Sequence, residues 1–135
     1  MNRTLIIAKP DAVERSLAGQ IVARFEAKGL KLVAAELRSV DRETAAKHYA
    51  EHEGKGFYEE LITFITRSPV LVFVIEGPED TWQIARTMIG ATNSAEAAPG
   101  TIRGDLSATF TENLVHGSDS AESAEREIGI WFPNL

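Results

Sequence analysis

The stretch Asn113-Leu114-Val115-His116-Gly117-Ser118-Asp119-Ser120 gathers residue types suited to covalent chemistry. Two apolar residues lead into a lone histidine, a glycine permits a sharp turn, and Ser118, Asp119 and Ser120 are helix-starting types. The helix they start is expected from about Ala121 to Trp131. Its apolar Ala121, Ala124, Ile128 and Trp131 repeat at three- and four-residue steps, and Asp119 with Glu122 resembles a capping box. His116 is therefore expected where a strand ends and a helix begins. Unpaired N–H groups and the positive end of the helix dipole collect there and favour a transferring anion such as phosphoryl. Glu127 follows two turns along the helix, and helical side chains lean back toward the N-terminus, so its carboxylate is placed to hold the imidazole and fix its tautomer. Taken by itself, His116 is more simply read as a polar strand-end residue satisfied by Ser118 or a backbone carbonyl. The rest of the chain shifts that balance.

Lys9, Arg86 and Arg103 each stand at an element end or in a long loop, where side chains can converge over a cleft, and Thr92 adds a hydroxyl. Other chemistries fare worse. There is no Walker A sequence and no G-x-G-x-x-G, and Gly54-Lys55-Gly56-Phe57 is a poor match to either. His48 and His52 share a helix face able to hold zinc, but no third ligand stands out, so a solvated helix face is the better reading. Arg103-Gly104-Asp105 spells an adhesion tripeptide and reads better as a loop arginine before a turn.

The elements that position these residues follow from periodicity. Thr4 to Ala8 reads as a buried strand stopped by Pro10, which leaves Lys9 at a strand end. Leu17, Ile21, Val22 and Phe25 share one face of a helix that Gly29 closes. Leu30 to Val40 gives a second strand, and Asp41 or Thr44 caps a short helix carrying Lys47, His48, Tyr49 and His52. Phe57 to Thr66 is helical, and Val70 to Ile75, continuously apolar and rich in β-branched residues, is the candidate central strand. Asp80 opens a helix with Trp82, Ala85, Met88 and Ile89 inward, after which Ala91 to Gly104 reads as a long loop. This order fits one domain over residues 1–135: an α+β, ferredoxin-like sandwich, with a four-stranded antiparallel βαββαβ sheet and helices packed on it.

At 135 residues the chain can bury a core without metal or disulfides, and it has no cysteine to form them. Its longest apolar run is too short to cross a bilayer, and no signal-peptide core is evident, so a cytoplasmic protein without membrane insertion is expected. A net charge of -6 opposes binding to a nucleic-acid backbone, whereas a small phosphorylated ligand needs only a few local cations.

Over essentially its whole length the chain resembles the nucleoside diphosphate kinase family. The likeness rests on ordered motifs: Ile7-Ala8-Lys9-Pro10-Asp11, Gly90-Ala91-Thr92-Asn93, Pro99-Gly100-Thr101-Ile102-Arg103-Gly104-Asp105, Asn113 to Ser120, and Glu125-Arg126-Glu127-Ile128. The resemblance implies that His116 is phosphorylated and dephosphorylated in turn, oriented by Glu127 and Ser118. It assigns Tyr49, Lys9, Arg86, Thr92 and Arg103 to phosphates, Lys9 and Asn113 to sugar hydroxyls, Phe57 to stacking on the base, and Leu61 and Phe110 to the base pocket. It further implies Mg2+ carried mainly by the nucleotide phosphates, with Asp119 helping through water, and a homo-oligomer acting on nucleoside di- and triphosphates. Two departures concern the base cleft. Gly56 stands where a proline commonly precedes the stacking phenylalanine, and Phe110 stands where a smaller aliphatic is common.

Overall fold

The computed structural model describes residues 1–135. Its first strand, β1 (Arg3–Ala8), is buried from Thr4 onward, as an uninterrupted apolar run requires. Leu5 and Ile7 sink into one core, Ile6 and Ala8 into another, because successive strand residues face opposite ways. The chain then turns directly into a helix that the sequence reading did not foresee. Lys9 is extended and Pro10 is the first residue of α1 (Pro10–Glu14). The fixed φ and missing N–H that stop a strand also suit a helix's first turn.

Helix α2 (Ala18–Ala27) buries Ile21 and Phe25 and ends at Gly29, whose φ of 96° is the left-handed exit expected there. Strand β2 (Lys31–Arg38) follows, with an irregular register between Leu32 and Ala34. Asp41, not Thr44, caps α3 (Arg42–His48), accepting the Thr44 N–H at 3.3 Å. That helix stops at His48, so Tyr49 lies just beyond it and His52 sits in a separate 3-10 turn, Ala50–His52. Helix α4 (Tyr58–Thr66) buries Ile62 and Ile65, and β3 (Val70–Glu76) is a central strand as expected. In α5 (Thr81–Ile89) Ala85 and Ile89 are fully inward while Trp82 and Met88 are half-buried. Asp80 precedes it in a left-handed conformation and its side chain caps nothing. The expected loop contains a 3-10 turn at Ser94–Glu96 and the short helix α6 (Ile102–Leu106), which Thr101 caps. Strand β4 (Val115–Gly117) leads to α7 (Ala121–Trp131), capped by Ser120 through the Ser123 N–H rather than by an Asp119–Glu122 box.

The four strands lie in the order β2-β3-β1-β4 with every pair antiparallel, the expected ferredoxin-like arrangement. Ile6 and Phe73 face α2, α5 and Ile102 of α6, with the rings of Phe25 and Phe73 edge-on at 6.0 Å. Leu5, Ile7, Val72 and Val74 face α3, α4 and α7. Val115 belongs to the first core, so the next residue, His116, faces the second. It pairs with Ile7 across the β1–β4 ladder. No helix is long and apolar enough to cross a membrane.

Candidate active site

His116 lies in mid-strand in β4 rather than at its end, with its side chain 25% exposed. Its Nε2 meets Glu127 Oε1 at 2.7 Å, and the same oxygen accepts from the Ser118 hydroxyl at 2.9 Å. Glu127, Ser118 and the supporting Leu5 carbonyl are buried. Burial alone would push the Glu127 carboxyl up, but the hydrogen bonds from His116 and Ser118, with the field of the neighbouring imidazoles, hold it down to about 2. An ionised acceptor at this distance accepts the Nε2–H, which keeps the proton on Nε2 and leaves Nδ1 with a free lone pair. Such a charge-assisted bond contributes about 1.5–3 kcal/mol.

A second histidine stands behind the first. His48 is 3% exposed, its Nδ1 accepts the Trp131 Nε1–H at 3.1 Å, and its ring packs edge-to-face on His116 with centroids 4.7 Å apart. The solvated helix face expected for His48 is therefore wrong. The spacing to His52 gave no sign of depth, and the residue that covers it, Trp131, comes 83 positions later. Burial, with His116 nearby, pushes its pKa down to about 3, so His48 is neutral and carries its proton on Nε2. His48, His116 and Glu127 each offer a ligand atom within 4.8 Å of the others. Edge-to-face rings, however, aim the face of one ring rather than an in-plane lone pair at its neighbour, which is poor metal-binding geometry.

In front of His116 opens a cavity of about 740 Å³, lined among others by Lys9, Tyr49, Phe57, Leu61, Thr92, Arg103, Phe110 and Asn113. Lys9 Nζ donates to Asn113 Oδ1, and Asn113 Nδ2 donates to the Thr92 carbonyl at 3.1 Å. Arg103 is a buried helix residue, not a loop cation. Its guanidinium reaches the carbonyls of Asn113, Gly90 and Val115 at 3.2, 3.2 and 2.7 Å. Burial lowers the Lys9 pKa to about 8 against the raising effect of Asp11, and lowers that of Arg103 to about 10 with help from Arg86. Tyr49 is pushed up to about 12 by burial and by Glu127, which keeps its hydroxyl protonated as a donor. Arg86 does not line the cavity; it donates to the Gly117 carbonyl at 3.0 Å.

The turn that presents Arg103 is rigid. Thr101 donates its hydroxyl to the Ala98 carbonyl at 2.6 Å and accepts the Gly104 N–H at 3.0 Å, while Asp105 takes the Gly100 N–H and Arg24. Gly104 is obligatory in this turn, because a Cβ there would lie 1.9 Å from the Ala98 oxygen. Leu114 adopts a φ of 72°, a conformation costing a branched residue about 1–3 kcal/mol.

Away from His116 along the cavity lining, Phe57 and Phe110 are 46% and 60% exposed, with half-buried Leu61 of α4 on the same lining. Phe57 is not packed inward. Phe64, Glu60, Arg67 and Glu112 also line the cavity and were not singled out from the sequence. Glu60 and Phe64 lie on α4 and Arg67 caps its C-terminus, while Glu112 comes from the loop before β4, and nothing local in the sequence marks any of them as cavity wall.

Comparison with known proteins agrees with this geometry. The nucleoside diphosphate kinase family model matches residues 2–135. A nucleoside diphosphate kinase from Staphylococcus aureus (strain JH9) is 55% identical over 132 residues, covering 98% of this chain and 88% of the relative. Among solved structures, a nucleoside diphosphate kinase family protein from Babesia bovis superposes with a TM-score of 0.94 at 47% identity, covering 98% of this chain and 88% of that one. A halophilic nucleoside diphosphate kinase from Halobacterium salinarum, solved in complex with CDP, gives 0.93 at 47% identity with the same coverage. A match spanning the whole fold, joined to a buried carboxylate–histidine pair facing a cationic cavity, means that the chain belongs to the nucleoside diphosphate kinase family.

Proposed function

We propose that this enzyme moves the terminal phosphoryl group of a nucleoside triphosphate to a nucleoside diphosphate through His116. The imidazole Nδ1 lone pair attacks the γ-phosphorus, the bond from that phosphorus to the bridging oxygen breaks, and the first diphosphate leaves with those electrons. In the return step a β-phosphate oxygen of a second diphosphate attacks the phosphorus and the N–P bond breaks. The observation that carries this reading is the 2.7 Å contact from His116 Nε2 to buried Glu127, which leaves the other ring nitrogen open beside Lys9 and Arg103.

Glu127 and Ser118 hold the ring and its tautomer. Lys9 and Arg103 face charge that spreads over the transferring group, while Tyr49 and Thr92 contact phosphates; Arg86, held on the Gly117 carbonyl outside the cavity lining, would have to swing in to join them. Lys9 and Asn113 hold sugar hydroxyls, Phe57 stacks on the base, and Leu61 and Phe110 border it. The donor set fits a magnesium ion carried by the nucleotide. Of the nearby carboxylates, Glu112 on the cavity lining is paired with Arg67 and Glu127 is engaged by His116 and Ser118, while exposed Asp119 is free to reach such an ion through water. Bound there, Mg2+ would neutralise phosphate charge. A homo-oligomeric, cytoplasmic enzyme is part of the same proposal and rests on the family relationship.

Incubation with γ-labelled ATP tests the reading. Label should become bound to protein in an acid-labile form and be discharged by any added diphosphate. Binding of nucleotide without labelling would reduce the protein to a non-catalytic nucleotide-binding module.

A further inference from the structure

We propose that Asp11 is a positioning residue for phosphoryl transfer, its carboxylate clamping the strained turn at Leu114 that sets the backbone leading into His116. Asp11 is 2% exposed, in the first turn of α1. Its Oδ2 accepts the Leu114 N–H at 2.9 Å across 103 residues of sequence. Leu114 combines a φ of 72° with a hydrogen bond from the Val115 N–H to the Asn113 carbonyl at 2.8 Å. Those are the features of the rarer, strained γ-turn, which persists only where its surroundings enforce it.

What hangs on this turn is the phosphate end of the site. The Leu114 carbonyl accepts the Lys9 N–H at 2.8 Å, and the carbonyls on either side, of Asn113 and Val115, both accept from Arg103. The Asn113 side chain takes Lys9 Nζ. One bent residue thus sets the mutual placement of two cations and, two positions later, of His116. The central N–H of the turn is taken by Asp11 alone. No helix N-cap role explains the carboxylate, since Lys9 occupies that position and makes no side-chain cap.

The charge matters as well as the hydrogen bond. Asp11 Oδ1 is buried with no partner, a costly arrangement for a merely structural acceptor. Asp11 is the carboxylate whose field raises the pKa of both Lys9 and Arg103. The charged groups around it are Lys9 from the end of β1, Arg103 from α6 and Glu112 from the loop before β4, with Arg15 and Asp105 on the same outer hollow. Burial raises Asp11's own pKa, while Lys9 and the Leu114 N–H pull it down.

This inference rests on the phosphotransfer reading, and the test separates the two. Wild type, Asp11→Asn and Asp11→Ala would be compared for single-turnover labelling by γ-labelled ATP, steady-state kcat and KM, the pH dependence of kcat/KM, and thermal midpoint. Asn keeps an acceptor oxygen but no charge, whereas Ala keeps neither. Asp11→Ala should lower kcat about 100-fold, the scale of an ångström's misplacement, with KM for diphosphate changed less than about 3-fold. Asp11→Asn should retain more of kcat than Ala, and its basic limb of kcat/KM should move to lower pH, because Lys9 loses the neighbour that favours its charged form. Unaltered kcat and pH profile in folded Asp11→Asn, whether or not its thermal midpoint falls, would overturn the proposal. Should Asp11→Ala fail to fold, the Asn variant alone decides. Failure of the wild type to label would sink the phosphotransfer reading instead, whatever Asp11 does.

Discussion

The two ends of the cavity are made differently. At the His116 end the supporting Glu127, Ser118, Arg103 and Asp11 are buried, and each is hydrogen-bonded to another segment of the chain. At the other end Phe57 and Phe110 present rings that are 46% and 60% exposed. A donor fixed before the reaction needs no reorganisation when charge develops, so rigidity suits the phosphate end. Stacking asks only for a flat π-face, which every base has, so looseness costs little at the base end.

Removing the nucleophile breaks this contrast most severely. His116→Ala should lose exchange and protein labelling by on the order of 10³–10⁶-fold while nucleotide still binds, because the cleft survives without its covalent step. Unaltered turnover would refute the mechanism.

Next come the cations. Lys9→Ala or Arg103→Ala should cut kcat by roughly 100-fold and weaken diphosphate binding much less, since charge spreads over the phosphoryl group mainly in the transition state. If only KM rose, both would be ground-state anchors.

Titration sharpens the point. With the Lys9 pKa lowered to about 8, its ammonium is lost as pH rises through that value, so kcat/KM should fall above about pH 8. Lys9→Arg should push that limb upward; a limb that stayed in place would belong to another group. For stability the sign reverses. Folding disfavours the Lys9 cation, so this group's contribution grows as pH climbs from about 8 toward 10.5.

The smallest effect belongs to the base end. Phe57→Ala should reduce kcat/KM for adenine, guanine, cytosine and thymine diphosphates nearly in parallel, by about 1 kcal/mol for a ring half open to water. Loss for a single base, or a lowered thermal midpoint with kinetics intact, would give Phe57 another role.

How much of this could be read from sequence depended on how local the cause was. The apolar runs of β1 and β3 and the Asn113 to Ser120 stretch carry their own signals, so the sheet and the site's centre were legible. Pro10 was read only as a stop, and α6 was hidden in a loop, because short helices have too few residues to show a period. Ser120 outcompeted Asp119 as a cap, a choice between neighbours of nearly equal propensity. His48 and Asp11 were missed for a deeper reason. Their burial depends on Trp131 and Leu114, and no window of sequence holds both partners.

The pairing of β1 with β4 has a consequence in time. During synthesis at roughly 5–20 residues per second, the chain that supplies Lys9 and Asp11 precedes the chain that meets them by on the order of 5–20 s. Late in that interval, once β3 has been made, β1 can pair with it but keeps one apolar edge open, the kind of edge that recruits a wrong strand or a chaperone. The catalytic centre is then among the last parts of the nascent molecule to be completed, and the same strand that delivers His116 closes the exposed edge.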